Sequence, residues 1–457
     1  MSCVAQLRAP GRTALAGMAL VMLAIAGAAW ATNGDPDLRL YFSAAELEAF
    51  HAFRRPRWIR AIADVAVEAA LFALLLGGLS ARLWAASVRG QERLAGRASS
   101  LPGAGALSAP LDRLWGDRTW AAALLFAAAV FLLGLAAQLP SALLFDWLQP
   151  RLHGLSSQSL GRFLSTLAID ALVEAAGLTA LAFGLWGLMR RTRRWWLLLG
   201  LPCGVLVALS GAADPARISL HYQTAPLPPG PQRAAVEGVL ARAGLQAEEI
   251  LVIDARRDTN MLDAFVSGEG PTRRIFLFDT LVEALPPAEL AGVIAHELGH
   301  LGEHRLRNAL IAGAAMPLLL ALLAGFLSLL AGTGRCGFRD PREPAALPAA
   351  LLFGWLVATL ATPPSLAWGR RLELEADRAA LELLRDPASL RSALVRLART
   401  NQADPAPPWP VVLLLYAHPP VAERLGAVEA WARAQRFALP PPTPALFADH
   451  LEAAPPR

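Results

Sequence analysis

The sequence holds 457 residues, 55% of them hydrophobic and only 17% charged, with 42 basic and 37 acidic side chains. A water-soluble domain carries about a quarter charged residues, so much of this chain is expected in lipid. Every basic residue is Arg, and many of them flank apolar runs, where positive charge holds loops beside a bilayer; the net charge of +5 marks membrane flanks and excludes nucleic acid as a partner.

A hydrocarbon core about 30 Å thick takes roughly 20 apolar residues in a helix. Seven stretches qualify, at about 13–32, 61–80, 120–139, 166–188, 195–213, 309–331 and 347–367. Arg8 and Arg12 before the first stretch, and Ala29-Trp30-Ala31 at its end, also fit a secretory leader. The six spans that follow favour an uncleaved first span. Two spans carry acids four residues apart, Asp64 with Glu68 and Asp170 with Glu174, which puts each pair on one helix face.

Residues 214–308 read as a water-soluble segment between the fifth and sixth spans. A Pro-rich linker and the helical AAVEGVLARAGL lead into ILVIDA, a strand. DAFVSG and RRIFLF, separated by the turn-forming EGPT, read as a hairpin. Residues 309–368 hold two more spans, after the five in 1–213. Residues 369–457 are mostly helical with a Pro-rich tail, and are expected to fold with 214–308 at one membrane face. The fold class is therefore a mainly α, polytopic membrane protein with a mixed α+β catalytic domain.

The residues that carry chemistry begin at His296-Glu297-Leu298-Gly299-His300, on a helix that Pro286-Pro287 open. Four residues make just over one helical turn, so both imidazoles project from one face. Neutral imidazole binds zinc well, and Glu297 sits where it can take a proton from water at the metal. His304 continues the same face but stands roughly 12 Å along the axis from His296 at 1.5 Å per residue, too far to share one ion. Three scattered cysteines (Cys3, Cys203, Cys336) show no metal-ligand spacing and too few partners for a disulfide framework. A third ligand is expected instead from GRRLELEADRAALELL, which reads as a helix with Glu373 and Asp377 four apart. One carboxylate could bind metal and the other orient a ligand His. On the residues alone Glu375 competes with Glu373, and these acids also fit a solvated helix face.

The chain resembles the integral-membrane zinc endopeptidases typified by type 1 CAAX prenyl protease. The resemblance rests on DTNMLDAFVSGEGPTRRIFLFDTLVEALPPAELAGVIAHELGHLGEH, on LELEAD, on AHPPVAERL and, more weakly, on LHGLSSQSLGRF. Together these segments span most of residues 150–430. The resemblance implies one Zn2+ per chain on His296, His300 and Glu373, with Asp377 orienting a ligand His. It implies that His418 stabilises the oxyanion, with Arg424 in support, and that peptide hydrolysis proceeds with Glu297 as base. Where the family has an Asn-Ala-aromatic triplet, this chain has Asp263-Ala264-Phe265, which puts a carboxylate among the expected substrate-binding residues. The partners expected are a polypeptide substrate, membrane-associated or lipidated, and the bilayer itself, in a bacterial inner membrane. A zinc-binding receptor or transporter is the alternative, and Glu297 beside the His pair speaks against it, because a structural site needs no base.

Overall fold

The computed structural model describes residues 36–98, 119–209, 218, 220–268, 272–302 and 305–443. The expected span at 13–32, and His304, lie outside these residues. Among the described residues five helices are long and apolar enough to cross a membrane: Ala44–Leu94, Trp120–Leu152, Leu160–Arg191, Leu310–Thr333 and Pro344–Leu384. A sixth apolar helix, Trp195–Leu206, is shorter. The expected spans from 61 to 367 fall on these six. In each of the five, only 6–22% of the most apolar window is buried inside the protein. The rest, including Leu172, Val173, Leu318 and Leu329, forms an outward apolar surface of the kind that lipid covers. The chain is a mainly α, polytopic membrane protein.

Helix α1 (Ala44–Leu74) opens on a capping box between Ser43 and Glu46. It passes through a π-helical turn, Leu75–Leu79, into α2 (Ser80–Ala98). Gly78 leaves helical geometry there at φ 125°, and the span kinks at that point. Next come α3 (Trp120–Ala142), α4 (Leu160–Arg191) and α5 (Trp195–Leu209). The segment outside the apolar spans contains β1 (Thr224–Pro226), α6 (Pro231–Ala243), β2 (Glu249–Ile253), β3 (Ala264–Ser267), β4 (Arg274–Phe278) and α7 (Pro287–Gly299). Helices α8 (Arg305–Thr333) and α9 (Leu347–Leu384) are apolar again, and α10 (Pro387–Thr400), α11 (Trp409–Leu415) and α12 (Val421–Ala434) follow.

Among the described residues three of the four membrane acids find partners, Asp64 on its own helix and two on neighbouring elements. Asp64 pairs with Arg60 at 3.0 Å, and Asp170 lies 2.9 Å from the His221 Nε2. Glu68 accepts from Gln138 at 2.9 Å and from the Trp355 indole, so it ties α1 to α3 and α9. Helices α5 and α8 touch backbone to backbone. A Cβ on Gly204 would stand 2.4 Å from the Gly313 carbonyl oxygen, and small residues are what allow such an approach in lipid. Cys336 is buried and disulfide-bonded. Cys203 is free.

The four strands form one sheet in the order β1-β2-β4-β3, with β2 and β4 parallel and the other pairs antiparallel. The hairpin read from DAFVSG and RRIFLF is the β3–β4 pair, and β3 is left as an edge. One core joins Tyr41, Phe42 and Phe50, just before and inside α1, to Val236, Ile275, Leu290, Ile294, Val395 and Leu425. The sheet, α6, α7, α10 and α12 thus pack as one body with the start of the first described span. A second core, with Trp186, Leu327, Leu330 and Ala349, lies among the membrane helices. Helix α9 runs 38 residues unbroken. The boundary expected at 368/369 is a change of polarity within one helix, so the turns carrying Glu373 and Asp377 continue directly from the span.

Candidate active site

Helix α7 starts at Pro287, whose missing N–H costs nothing in a first turn. It buries Leu290, Val293, Ile294 and Leu298 on its inner face and delivers His296 near its end. His300 follows as the C-cap, in a 3-10 turn over residues 300–302. Helix α9 crosses α7 at Gly299. A Cβ there would stand 2.8 Å from the Ala376 Cα and 2.9 Å from its carbonyl oxygen. Ala376 lies between Glu373 and Asp377, so this contact fixes how closely the two acids approach the two imidazoles. Gly299→Ala is expected to cost about 1–3 kcal/mol by overpacking and to weaken metal binding. Thermal melting and metal titration of the purified variant check this.

At the crossing, the Nε2 atoms of His296 and His300 lie 3.2 Å apart. Glu373 Oε2 is 3.3 Å from the first and Oε1 is 3.5 Å from the second. Tetrahedral coordination with bonds of about 2.0–2.1 Å needs ligand-to-ligand edges of about 3.3–3.4 Å. These three residues could hold one metal ion, each offering an atom within 4.8 Å of the others. Two features fit that use. Glu373 Oε2 is buried without a hydrogen-bond partner. The His296 Nδ1 is 2.9 Å from Asp377 Oδ1, which fixes the ring and leaves the Nε2 lone pair aimed at the shared point.

Arg424, from α12, holds Asp377 with a two-pronged bond, Nε to Oδ2 at 2.8 Å and Nη2 to Oδ1 at 2.7 Å. Asp377 is 1% exposed, and a carboxylate buried that deeply needs such a partner. The chain Arg424–Asp377–His296 therefore stiffens the site from behind. Glu375, the competing acid, points away and pairs with Arg371 at 2.8 Å in the open. His418 comes from the turn before α12. Its Nε2 is 3.3 Å from Glu373 Oε1, its side chain 66% exposed, and it stands outside the set of three ligand atoms. Arg370, one turn before Glu373, donates to the carbonyls of Val412 and Tyr416 at 3.0 and 2.7 Å, which ties the His418 turn to α9.

A cavity of about 770 Å³ opens over these groups. It is lined by Asp263, His296, Glu297, His300, Glu373 and His418, among others. Burial pushes the Glu297 carboxyl up to about 7, with the charges of Asp263 and Glu373 adding to the effect and His296 opposing it. A base in that range is matched to proton transfer near neutral pH. Asp263 faces the same cavity. Phe265 does not: its ring stacks on Phe276 at 5.0 Å, among Leu251, Ile253 and Ala255. Ala264, the first residue of β3, lines the cavity, and successive strand residues point to opposite faces, so the Phe265 ring lies on the far side, while Asp263 stands just before the strand. Sequence reasoning missed Asn401, whose side chain accepts from the Leu262 N–H at 2.8 Å and donates to its carbonyl at 3.0 Å. It pairs with the entry to β3 as a neighbouring strand would. No local pattern around Asn401 announces that role.

The model of peptidase family M48 matches residues 231–432, the stretch that carries all of these groups except Arg54 on the cavity wall. A protease HtpX homolog from Acidiphilium cryptum is 30% identical over 221 residues, covering 44% of this chain and 73% of its own. The chain belongs to peptidase family M48. A CAAX prenyl protease 1 homolog from Oryza sativa subsp. japonica is 30% identical over 219 residues, 46% of this chain and 50% of that protein. The chain spans 50–65% of the length of several curated relatives it matches, among them an uncharacterized metalloprotease from Bacillus subtilis. The crystal structure of S. mikatae Ste24p superimposes with a TM-score of 0.70 at 19% identity, covering 87% of this chain and 92% of that one. The fold, spans included, is shared with that protein.

Proposed function

We propose that this M48 member is a membrane-embedded zinc endopeptidase that cleaves polypeptides presented at one face of the membrane, CAAX-protease-like in the arrangement of its site. The observation that carries the reading is the cluster of His296, His300 and Glu373, each offering an atom within 4.8 Å of the others, with Glu297 one residue from a ligand, at the floor of an open cavity. Zinc held by those three residues would supply Lewis acidity and ready a water to lose its proton near neutral pH. Glu297 accepts that proton and returns it to the leaving amine. Asp377 and Arg424 hold His296 in one orientation throughout. His418 donates toward the substrate oxygen on which negative charge develops. The free edge of β3 offers backbone donors and acceptors to an extended peptide. Membrane-associated or lipidated polypeptides in a bacterial inner membrane are the substrates this setting suits, since one chain carries both the apolar spans and the cavity.

The test is metal content and cleavage together, on the full chain in detergent. One zinc per chain is expected, lost in Glu373→Ala and kept in Glu375→Ala. Cleavage of unstructured peptides should follow the metal. If Glu375→Ala lost zinc while Glu373→Ala kept it, the ligand set would be wrong. A wild type that binds zinc and cleaves no peptide in a broad library would overturn the peptidase reading.

A further inference from the structure

The carboxylate of Asp263 has no task in the chemistry above. It sits in the cavity with Glu297 and the three candidate ligands. One oxygen, Oδ1, accepts from the Ala264 N–H at 2.9 Å. Among the described residues no basic side chain balances it; burial drives it up to about 6, opposed only by that backbone bond. The two Arg side chains on the cavity wall are committed elsewhere. Arg54 donates to the carbonyls of Gln402 and Asn401, and Arg424 to Asp377. Asp263 also lies near enough to Glu297 for its charge to raise that carboxyl. Two acids in one partly dehydrated cleft oppose each other, and Asp263 is left without a basic partner among the described residues.

The strand geometry says where that charge falls on a substrate. The Phe278 N–H donates to the Asp263 carbonyl at 3.0 Å, and Phe265 is opposite Phe276 in the ladder. Antiparallel strands alternate the direction of their backbone groups, so Asp263 and Phe265 turn theirs to β4. Ala264 and Val266 turn theirs to the free edge. The Asp263 carboxylate, folded back onto the Ala264 N–H, therefore lies along that edge, in the path of a peptide paired with β3. It lines the same cavity as Glu297, which acts at the scissile bond, and so faces the substrate segment cleaved there.

We infer that Asp263 is a specificity-determining residue that selects a cationic group on the substrate residue adjoining the scissile bond, either a Lys or Arg side chain or a free α-amine. The inference rests on the peptidase reading above. It is tested with three matched fluorogenic peptides on the full, zinc-loaded chain. One is N-acetylated and neutral, one N-acetylated with Arg beside the cleaved bond, and one neutral with a free α-amine there. The wild type should prefer one charged peptide over the neutral one by roughly 10–10²-fold in kcat/KM, at the low end of what a desolvated charge pair supplies. Which charged peptide wins tells side chain from α-amine. Asp263→Asn should bring the ratio to within about threefold of unity, and Asp263→Glu should keep most of the preference. Binding of the same peptides in a Glu297→Gln background, with and without Asp263→Asn, reads the ratio without turnover. A wild type that cleaves all three peptides alike, or an Asp263→Asn protein that keeps the preference, overturns this inference and leaves the peptidase reading standing. A wild type that cleaves none of them overturns both.

Discussion

Glu297→Gln is expected to keep its metal and its fold while losing peptidase activity by at least about 10²–10⁴-fold, the usual worth of a positioned general base. The amide fills the same space, and no ion pair of the described structure uses the Glu297 side chain, so its removal orphans no buried cation. The carboxyl is pushed up to about 7 by burial, and replacing it by a neutral group relieves that cost. The folded protein should therefore be as stable as the wild type or slightly more so. Single-turnover cleavage, zinc content and thermal melting on one preparation check all three statements. Near-normal turnover in the variant would remove Glu297 from the mechanism. Lost zinc would mean that the carboxylate helps to hold the metal.

The readable parts of this molecule are those whose information is local. A four-residue His spacing survives any tertiary arrangement, so His296, Glu297 and His300 stand out at once. Apolar runs near 20 residues likewise announce α3, α4, α8 and α9, because lipid filters for length and hydropathy alone. The choice between Glu373 and Glu375 depends on the phase of α9 relative to α7, and that phase is set by the Gly299–Ala376 contact. No periodicity along one helix contains it. Only the family resemblance favours Glu373 before the structure is seen. The two-pronged Arg424–Asp377 bond joins residues 47 positions apart, and Asn401 reaches Leu262 across 139. Such pairs leave no local trace. Phe265 was expected beside the substrate, yet it alternates with cavity-lining Ala264 and stacks its ring on Phe276 away from the cavity, whereas Asp263, just before β3, lines it. The end of the seventh span is legible as a drop in hydropathy, whereas the helix itself continues to Leu384, since intrahelical hydrogen bonding is indifferent to which solvent lies outside.

His418→Ala is expected to lower kcat by about 10²–10³, the typical loss on removing one oxyanion donor, with zinc content unchanged. Its Nε2 is 3.3 Å from a Glu373 oxygen but outside the triangle of ligand atoms, so the ring borders the metal position without completing it. Its side chain is 66% exposed, so truncation opens no buried cavity and should leave stability nearly intact. Pro419 and Pro420 follow directly, and Pro fixes φ near −65°. Arg370 clamps the carbonyl of Tyr416 on the other side. The turn is thus held at both ends, and the imidazole reaches one fixed direction over the cavity at no cost during the reaction. KM should move much less than kcat, because charge on the substrate oxygen exists mainly in the transition state. His418→Gln, which keeps a donor at a similar reach, should recover part of the loss, whereas His418→Leu should not. A fall in zinc content would recast His418 as a ligand. A raised KM at constant kcat would make it a substrate-binding residue, and charge stabilisation in the cavity would then have to come from the metal alone.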